Sequence, residues 1–180
     1  MKQVTKSKEM DCINFTEDFS PSGNIYVCPT KPTRIEELMI TSFTGENSFL
    51  SNFYISPVTY NGHTYMSVEH AYQAAKAKTE EDRLAIANCD TPGKAKRLGR
   101  KIEMREDFEE NKVEIMKECL MNKFSNPNLR KKLVSTGKVY LAEGNNWGDT
   151  YWGVLFPDLV GENRLGKLLM EIRHLYGILR

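Results

Sequence analysis

The feature that most constrains this chain is the spacing of its helix breakers. Ser67 precedes Val68-Glu69-His70, where a hydroxyl can cap the free amides of a first turn, and the pattern from there through about Thr79 is helical. A second helix is expected over Glu80–Asn88. Cys89-Asp90-Thr91-Pro92-Gly93 ends it, and Pro92, with no amide hydrogen to leave unbonded, suits the first turn of a third helix through about Arg100. Arg105–Lys123 spaces Phe108, Val113, Ile115, Met116, Cys119 and Leu120 as the apolar side of a long amphipathic helix. Asn126-Pro127-Asn128 breaks that run. Leu129–Ser135 forms another short helix, and Asn163–Tyr176 closes the chain as a helix.

Strand signals are fewer. Thr59-Tyr60-Asn61-Gly62-His63-Thr64-Tyr65 sets an Asn-Gly turn between two β-favouring arms, which predicts a hairpin. Val139–Glu143 reads as a strand, followed by a Gly-, Asn- and Trp-rich loop from Gly144 to Glu162. Met1 to about Pro32 carries Pro21, Gly23, Pro29 and Pro32 and no sustained period. It reads as an extension with a short strand at Asn24–Cys28, and Ile35–Ile40 as a brief strand or turn leading inward. The expected fold class is mostly α, that is α+β with a few short strands, as a single helical domain over 41–180 with a small β-hairpin and an N-terminal extension over 1–40.

Composition excludes several classes. With 180 residues, 40% hydrophobic and 27% charged, one core with a solvated surface is expected. Apolar runs are too short to span a bilayer, and MKQVTKSKEMDC lacks the apolar segment of a signal peptide, so a cytoplasmic location is the expectation. Lys+Arg 25 against Asp+Glu 24 argues against a duplex-binding module but leaves room for a local basic pocket. Cys12, Cys28, Cys89 and Cys119 form no C-x-x-C pair and read as reduced thiols. His63, His70 and His174 are scattered without ligand spacing, so no metal is expected, and no cofactor.

Three clusters carry chemistry. On a helix, Glu69, Gln73 and Lys76 fall at i, i+4 and i+7 and share one face. Such a face is either a surface stripe or an acid/base pair and nucleophile lining a pocket. His70 points elsewhere, as a structural histidine or cap. The second cluster, Glu143-Gly144-Asn145-Asn146-Trp147-Gly148-Asp149-Thr150-Tyr151-Trp152-Gly153, gathers both tryptophans into one polar loop, where they either plug the domain or stack on a ligand ring. The third, Gly161-Glu162-Asn163-Arg164-Leu165-Gly166, begins the last helix, whose free amides suit phosphate or ribose hydroxyls; no P-loop motif is present. Lys94, Lys96, Arg97, Arg100 and Lys101 make a short basic run, a solvated face or a phosphate clamp.

In order and spacing these pieces resemble the NADAR family, also called YbiA-like. The resemblance rests on Phe43, Ser51-Asn52-Phe53, Ser67-Val68-Glu69-His70 with Gln73 and Lys76, Gly99-Arg100, Lys112, Met116 and Lys123-Phe124. It continues through Leu141, Glu143, Asp149-Thr150-Tyr151-Trp152-Gly153, Gly161, Asn163, Leu165-Gly166 and Leu169-Met170, from about Thr41 to about Tyr176. The chain departs from the family in two places. Phe108 stands where a tryptophan is common, and Val154–Val160 replaces a more glycine-rich loop, which bears on substrate preference.

The resemblance implies an α-rich N-glycosidase with a ribose-phosphate pocket. Members act on ADP-ribosylated guanine bases or on ribosylamino-pyrimidine phosphates of the riboflavin pathway; in both, ribose C1′ bonds to an exocyclic amine. The implied catalytic residues are Glu69, Lys76 and Asp149. The implied substrate-binding residues are Asn52, Phe53, His70, Gln73, Gly99, Arg100, Phe108, Glu143, Trp147, Trp152, Gly153 and Asn163. Two routes are open: water activated by Glu69 or Asp149, or attack by Lys76 on the opened sugar followed by hydrolysis of a Schiff base. The lysine route is preferred, because it explains an amine beside a carboxylate in an enzyme for exocyclic-amine glycosides. The expected partner is an ADP-ribose-like or phosphoribosylamine substrate, ADP-ribosylated nucleic acid included, with no membrane and no stable protein partner. Against these stand a silent ADP-ribose-binding module and a helical interaction domain.

Overall fold

The computed structural model describes residues 39–178. The expected strand at 24–28, the expected extension and the first part of 35–40 lie outside the described residues. The remainder of that last segment is strand β1 (Met39–Ile40), which pairs in parallel with β4 (Tyr140–Leu141). A 3-10 turn (Gly45–Leu50) buries Phe49 and Leu50 and leads into the hairpin β2 (Val58–Tyr60) and β3 (His63–Tyr65). Tyr60 pairs with His63 across a turn in which Asn61 and Gly62 have φ of 47° and 78°. Both left-handed positions fall on residues that tolerate them, as the Asn-Gly dipeptide predicts.

Helix α1 (Val68–Ala74) begins at Ser67, whose Oγ accepts the His70 amide at 3.3 Å. It is shorter than its sequence period predicts. Tertiary hydrogen bonds take over: the Lys76 carbonyl accepts the amide of Arg105 at 2.9 Å, the Lys78 amide donates to the Glu103 carbonyl at 3.1 Å, and Ala77 bridges Met104. The helix stops because its next carbonyl has a better partner a long way off in sequence.

Helices α2 (Glu80–Ala87) and α3 (Pro92–Gly99) follow, α3 with Pro92 in its first turn and the Thr91 side chain capping the Lys94 amide. The long helix is α4 (Phe108–Ser125), which turns into α5 (Pro127–Ser135) at Asn126; its Oδ1 accepts the amides of Asn128 and Leu129. The predicted strand 139–143 is reduced to β4. The following loop contains a second parallel pair, β5 (Gly144–Asn145) with β6 (Val154–Leu155), which its glycines and asparagines conceal from sequence reading. Helix α6 (Arg164–Ile178) completes the described chain. Helix outweighs strand, in line with the expected α+β class.

The core sits between α1, α4 and α6. Ile115, Met116, Cys119, Leu120 and Phe124 of α4 meet Leu165, Leu168, Leu169 and Ile172 of α6, with Leu141 among them. All seven residues of α1 are buried, including Glu69, His70 and Gln73. A helix of seven residues has little stability of its own, so burial on all sides is what holds it. No described helix is long and apolar enough to cross a membrane. Cys89 and Cys119 are free thiols; Cys12 and Cys28 lie outside the described residues.

Candidate active site

The surface-stripe reading of the Glu69 face fails on burial. Glu69 and Gln73 are each only 4% exposed, and Gln73 Nε2 donates to Glu69 Oε1 at 2.8 Å, the i, i+4 contact its spacing predicts. Gln73 Oε1 is buried without a partner among the described residues. Gly99 of α3 makes this fit possible, because a Cβ there would stand 2.1 Å from Gln73 Oε1. Any larger residue at 99 would displace Gln73 and with it the bond to Glu69.

Lys76 lies in the turn beyond α1 and is half-buried. Its Nζ is 5.5 Å from the Tyr72 ring centroid and 5.6 Å from that of Phe108, so the ammonium rests between two aromatic faces. Tyr72 meets Phe108 at 5.4 Å and Trp152 at 5.6 Å, both edge-to-face, and Trp152 meets Tyr151 at 5.1 Å. The indole expected to wall the site is thus one ring away from the α1 face. Phe108 takes part in the same wall.

The two ionisable groups move toward each other in pKa. Burial pushes the Glu69 carboxyl above the usual carboxylate range, against the opposing pull of Lys96, the Gln73 amide, Lys76 and Arg100. Burial also lowers Lys76; the charges of Glu69 and Glu109 oppose that shift, and Lys96 and Arg100 reinforce it. Each group therefore exchanges its proton more readily near neutrality than a solvated one, the property wanted in an acid/base pair or an amine nucleophile.

The loop residues divide. Asp149 Oδ1 accepts the amides of Tyr151 at 3.1 Å and Trp152 at 2.9 Å, so this carboxylate fixes the aromatic turn. Glu143 Oε2 is buried without a partner among the described residues, and its carboxyl is pushed up to about 7 by burial and by Asp149, against Lys96 and Lys123. Trp147 is 64% exposed. The Gly153 carbonyl accepts the Asn163 amide at 3.2 Å. Asn163 spends its side chain on the scaffold: Nδ2 donates to Tyr140 Oη at 3.1 Å and to the Leu141 carbonyl at 2.9 Å, and Oδ1 accepts the Glu143 amide at 3.1 Å.

On the opposite rim, Asn52 receives the Glu69 amide on its carbonyl at 3.0 Å, and Phe53 is exposed beneath Lys96, whose Nζ is 5.5 Å from the ring. Arg100 is exposed just past α3. His70 is fully buried away from these groups; its Nδ1 is 2.8 Å from Ser67 Oγ and its Nε2 3.1 Å from the Cys89 carbonyl, the structural role its position on α1 suggests.

Sequence reasoning places Lys96 in a basic run and Lys123 in a family motif but gives neither a role of its own. Lys96 is one of five cations in a run, and nothing local marks it as the one whose charge reaches Glu69, Lys76 and Glu143. Lys123 did leave a signal: it follows Met116, Cys119 and Leu120 on the apolar face of α4, where a charge is out of place.

The geometry can be set beside known proteins. The chain is 33% identical to the N-glycosidase YbiA of Escherichia coli over 154 residues, 81% of this chain and 95% of that protein. It is 36% identical to an N-glycosidase of Nostoc punctiforme over 61% of this chain and 72% of that one. A riboflavin biosynthesis protein of Vibrio vulnificus matches at 33% over 71% of this chain but only 35% of its own length. The NMR structure of the Escherichia coli protein YbiA superposes with a TM-score of 0.69 at 33% identity, covering 79% of this chain and 87% of that one. The NADAR domain model matches residues 41–175, the span that holds Glu69, Lys76, the aromatic wall and the Glu143 loop, and the chain therefore belongs to the NADAR domain family.

Proposed function

We propose that this protein is an N-glycosidase that hydrolyses a ribose C1′–N bond to an exocyclic amine, with ADP-ribosylated guanine of nucleic acid as its substrate. The catalytic domain is taken as residues 41–180, with 1–40 as an extension and the cytoplasm as its compartment. Family membership and relatives named N-glycosidases support the reaction class. The observation that carries the residue assignment is a buried Glu69 beside a half-buried Lys76 against Tyr72, Phe108 and Trp152.

In this reading the exocyclic nitrogen's lone pair forms C1′=N as the C1′–O4′ bond breaks and O4′ takes a proton from the Glu69 carboxyl, to which the final hydrolysis returns one. The neutral Lys76 amine adds to C1′, and Glu69 carries the proton lost by Lys76 to the departing nitrogen. The C1′–N bond to the base then breaks, leaving a Lys76 Schiff base. Water adds to C1′ and releases the sugar and the free amine of Lys76. Overall, one water is consumed and one amine released. Asp149 holds the turn that presents Trp152, and the cations Lys96 and Arg100 favour a phosphate-rich substrate.

A second substrate reading, a ribosylamino-pyrimidine 5′-phosphate, is favoured by the relatives named riboflavin biosynthesis proteins in Vibrio vulnificus and Zea mays. Incubating the protein with an ADP-ribosyl-guanine oligonucleotide and, separately, with the ribosylamino-pyrimidine phosphate decides between them. Release of ADP-ribose from the first supports the proposal; release of ribose 5-phosphate from the second alone transfers the assignment. A silent ADP-ribose-binding module would bind without releasing sugar from either.

A further inference from the structure

The basic run over Lys94–Lys101 splits into two faces in the structure. Lys96 and Arg100, four apart, turn toward the site, where their charges act on both Glu69 and Lys76. Lys94 and Arg97, three apart, are exposed on the side of α3 away from the buried Ala95 and Gly99. Lys101 is exposed in the turn that follows, where its amide donates to the Leu98 carbonyl at 2.8 Å. The proposed reaction uses only the first face.

Residues 91–102 hold these five cations and no carboxylate, in a chain whose net charge is only +1, so the rest of the sequence is net acidic. Like charges three and four apart on a helix repel, and concentrating them on one short helix costs stability unless an anion lies against it. Lys94 does pair with Asp90 at 2.7 Å, but both side chains are exposed and such a bond is weak and screened by salt. The rim beside α3 is apolar. Lys96 Nζ lies 5.5 Å from the ring of Phe53, which is exposed, as is Ile55 two residues on. The Ser56 amide donates to the Met66 carbonyl at 3.0 Å, which brings the exposed Met66 alongside.

A row of cations beside exposed apolar side chains suits an unpaired nucleic-acid strand, with phosphates on the first and base faces on the second. A duplex keeps its base faces stacked inside. Lys94 to Lys101 spans about 10 Å at helical rise, too long for the single pyrophosphate of an ADP-ribose. Resting on the reading above that the substrate is a guanine base of nucleic acid, we propose that α3 and its rim bind the single strand flanking the reacting nucleotide. Lys94, Arg97 and Lys101 contact its phosphates, and Phe53, Ile55 and Met66 lie under its bases. Lys96 and Arg100 stay with the reacting nucleotide itself.

The test uses the full chain and three probes: an unmodified single-stranded oligonucleotide, the same sequence as a duplex, and a polyglutamate of equal charge, each followed by fluorescence anisotropy over a range of salt. Wild type should bind the single strand tightest. Lys94→Gln/Arg97→Gln/Lys101→Gln should weaken that binding by about tenfold or more at low salt and flatten the slope of log K against log salt by about 2, at roughly 0.7 per phosphate contact. Lys131→Gln/Lys138→Gln/Lys167→Gln changes net charge equally at exposed positions on other elements and should keep the slope. Phe53→Ala should weaken binding severalfold with the slope unchanged. An unchanged slope in the α3 variant, or an equal loss in the control, overturns the phosphate track. Equal or tighter binding of the duplex overturns the single strand, and polyglutamate bound as tightly through the same residues overturns nucleic acid as the partner. With an ADP-ribosyl-guanine oligonucleotide and the corresponding nucleoside as substrates, the α3 variant should raise KM for the oligonucleotide alone. Strand binding without cleavage of either sinks the substrate reading alone; cleavage with KM equal in variant and wild type sinks this inference alone.

Discussion

Two sets of polar side chains with buried atoms behave in opposite ways in this protein. Asn145 and Asn163 are saturated: Asn145 Nδ2 donates to the carbonyls of Asp149 and Val154 at 2.7 and 3.0 Å while its Oδ1 accepts two amides, and Asn163 bonds Tyr140, Leu141 and Glu143. Asn52, Gln73 and Glu143 each keep a buried acceptor without a partner among the described residues. Saturated amides serve as internal braces for irregular backbone; open ones cost stability, and under the proposed function they are offset when a ligand arrives. The difference separates the frame of the loop from the site it frames.

The comparison breaks most visibly at Glu69. Glu69→Gln keeps the shape of α1 but removes the proton carrier, and kcat should fall by about 10²–10⁴-fold with the thermal transition nearly unchanged. Steady-state rates with the cleaved substrate, alongside a melting curve, check both halves. An unchanged kcat would remove Glu69 from the proton transfer.

Asn163→Ala should do the reverse. It removes bonds to three partners and leaves the Glu143 amide and Leu141 carbonyl open, and it should cost about 2–4 kcal/mol in urea unfolding. A loss under about 0.5 kcal/mol would show that the bracing account is wrong.

Glu143→Gln sharpens the contrast through pH. The Glu143 pKa in the folded protein, about 7, lies above its ordinary 4.5, so its contribution to stability is full below pH 4.5 and is lost as pH rises through 7. The variant, which does not titrate, should gain on wild type between pH 5 and 8 by about 1–3 kcal/mol. Parallel unfolding curves across that range would place the group outside the buried, open set. The smallest effect is expected at Trp147, which is 64% exposed: Trp147→Ala should alter stability by less than about 0.5 kcal/mol in the same assay.

The local half of this structure was legible before any coordinates. Ser67 and Thr91-Pro92 start helices for reasons confined to one turn, and Asn61-Gly62 makes its hairpin for the same reason; Asn126-Pro127 reads in the sequence as a break, although Pro127 opens α5. What was hidden depends on partners far away in sequence. Helix α1 was expected to run to Thr79, but the Lys76 carbonyl bonds Arg105 and the helix ends at Ala74. The β5–β6 pair joins residues ten apart through a loop whose composition argues against strands. At the site, the i, i+4 relation of Glu69 and Gln73 could be read directly, whereas their burial could not, since it comes from Gly99 and the α3 packing. Lys123 was the reverse case: the anomaly of a lysine on an apolar stripe was visible, but its partner, the Ser51 carbonyl, is 72 residues away.

In the proposed reaction Lys76, lowered in pKa by burial, attacks the sugar. Treating the protein with substrate and borohydride, then mapping the adduct by mass spectrometry, tests it most directly. The account predicts reduction of a Schiff base to a stable sugar adduct on Lys76, absent from Lys76→Ala, which should also lose turnover. Full activity in Lys76→Ala, with no adduct in wild type, would contradict it.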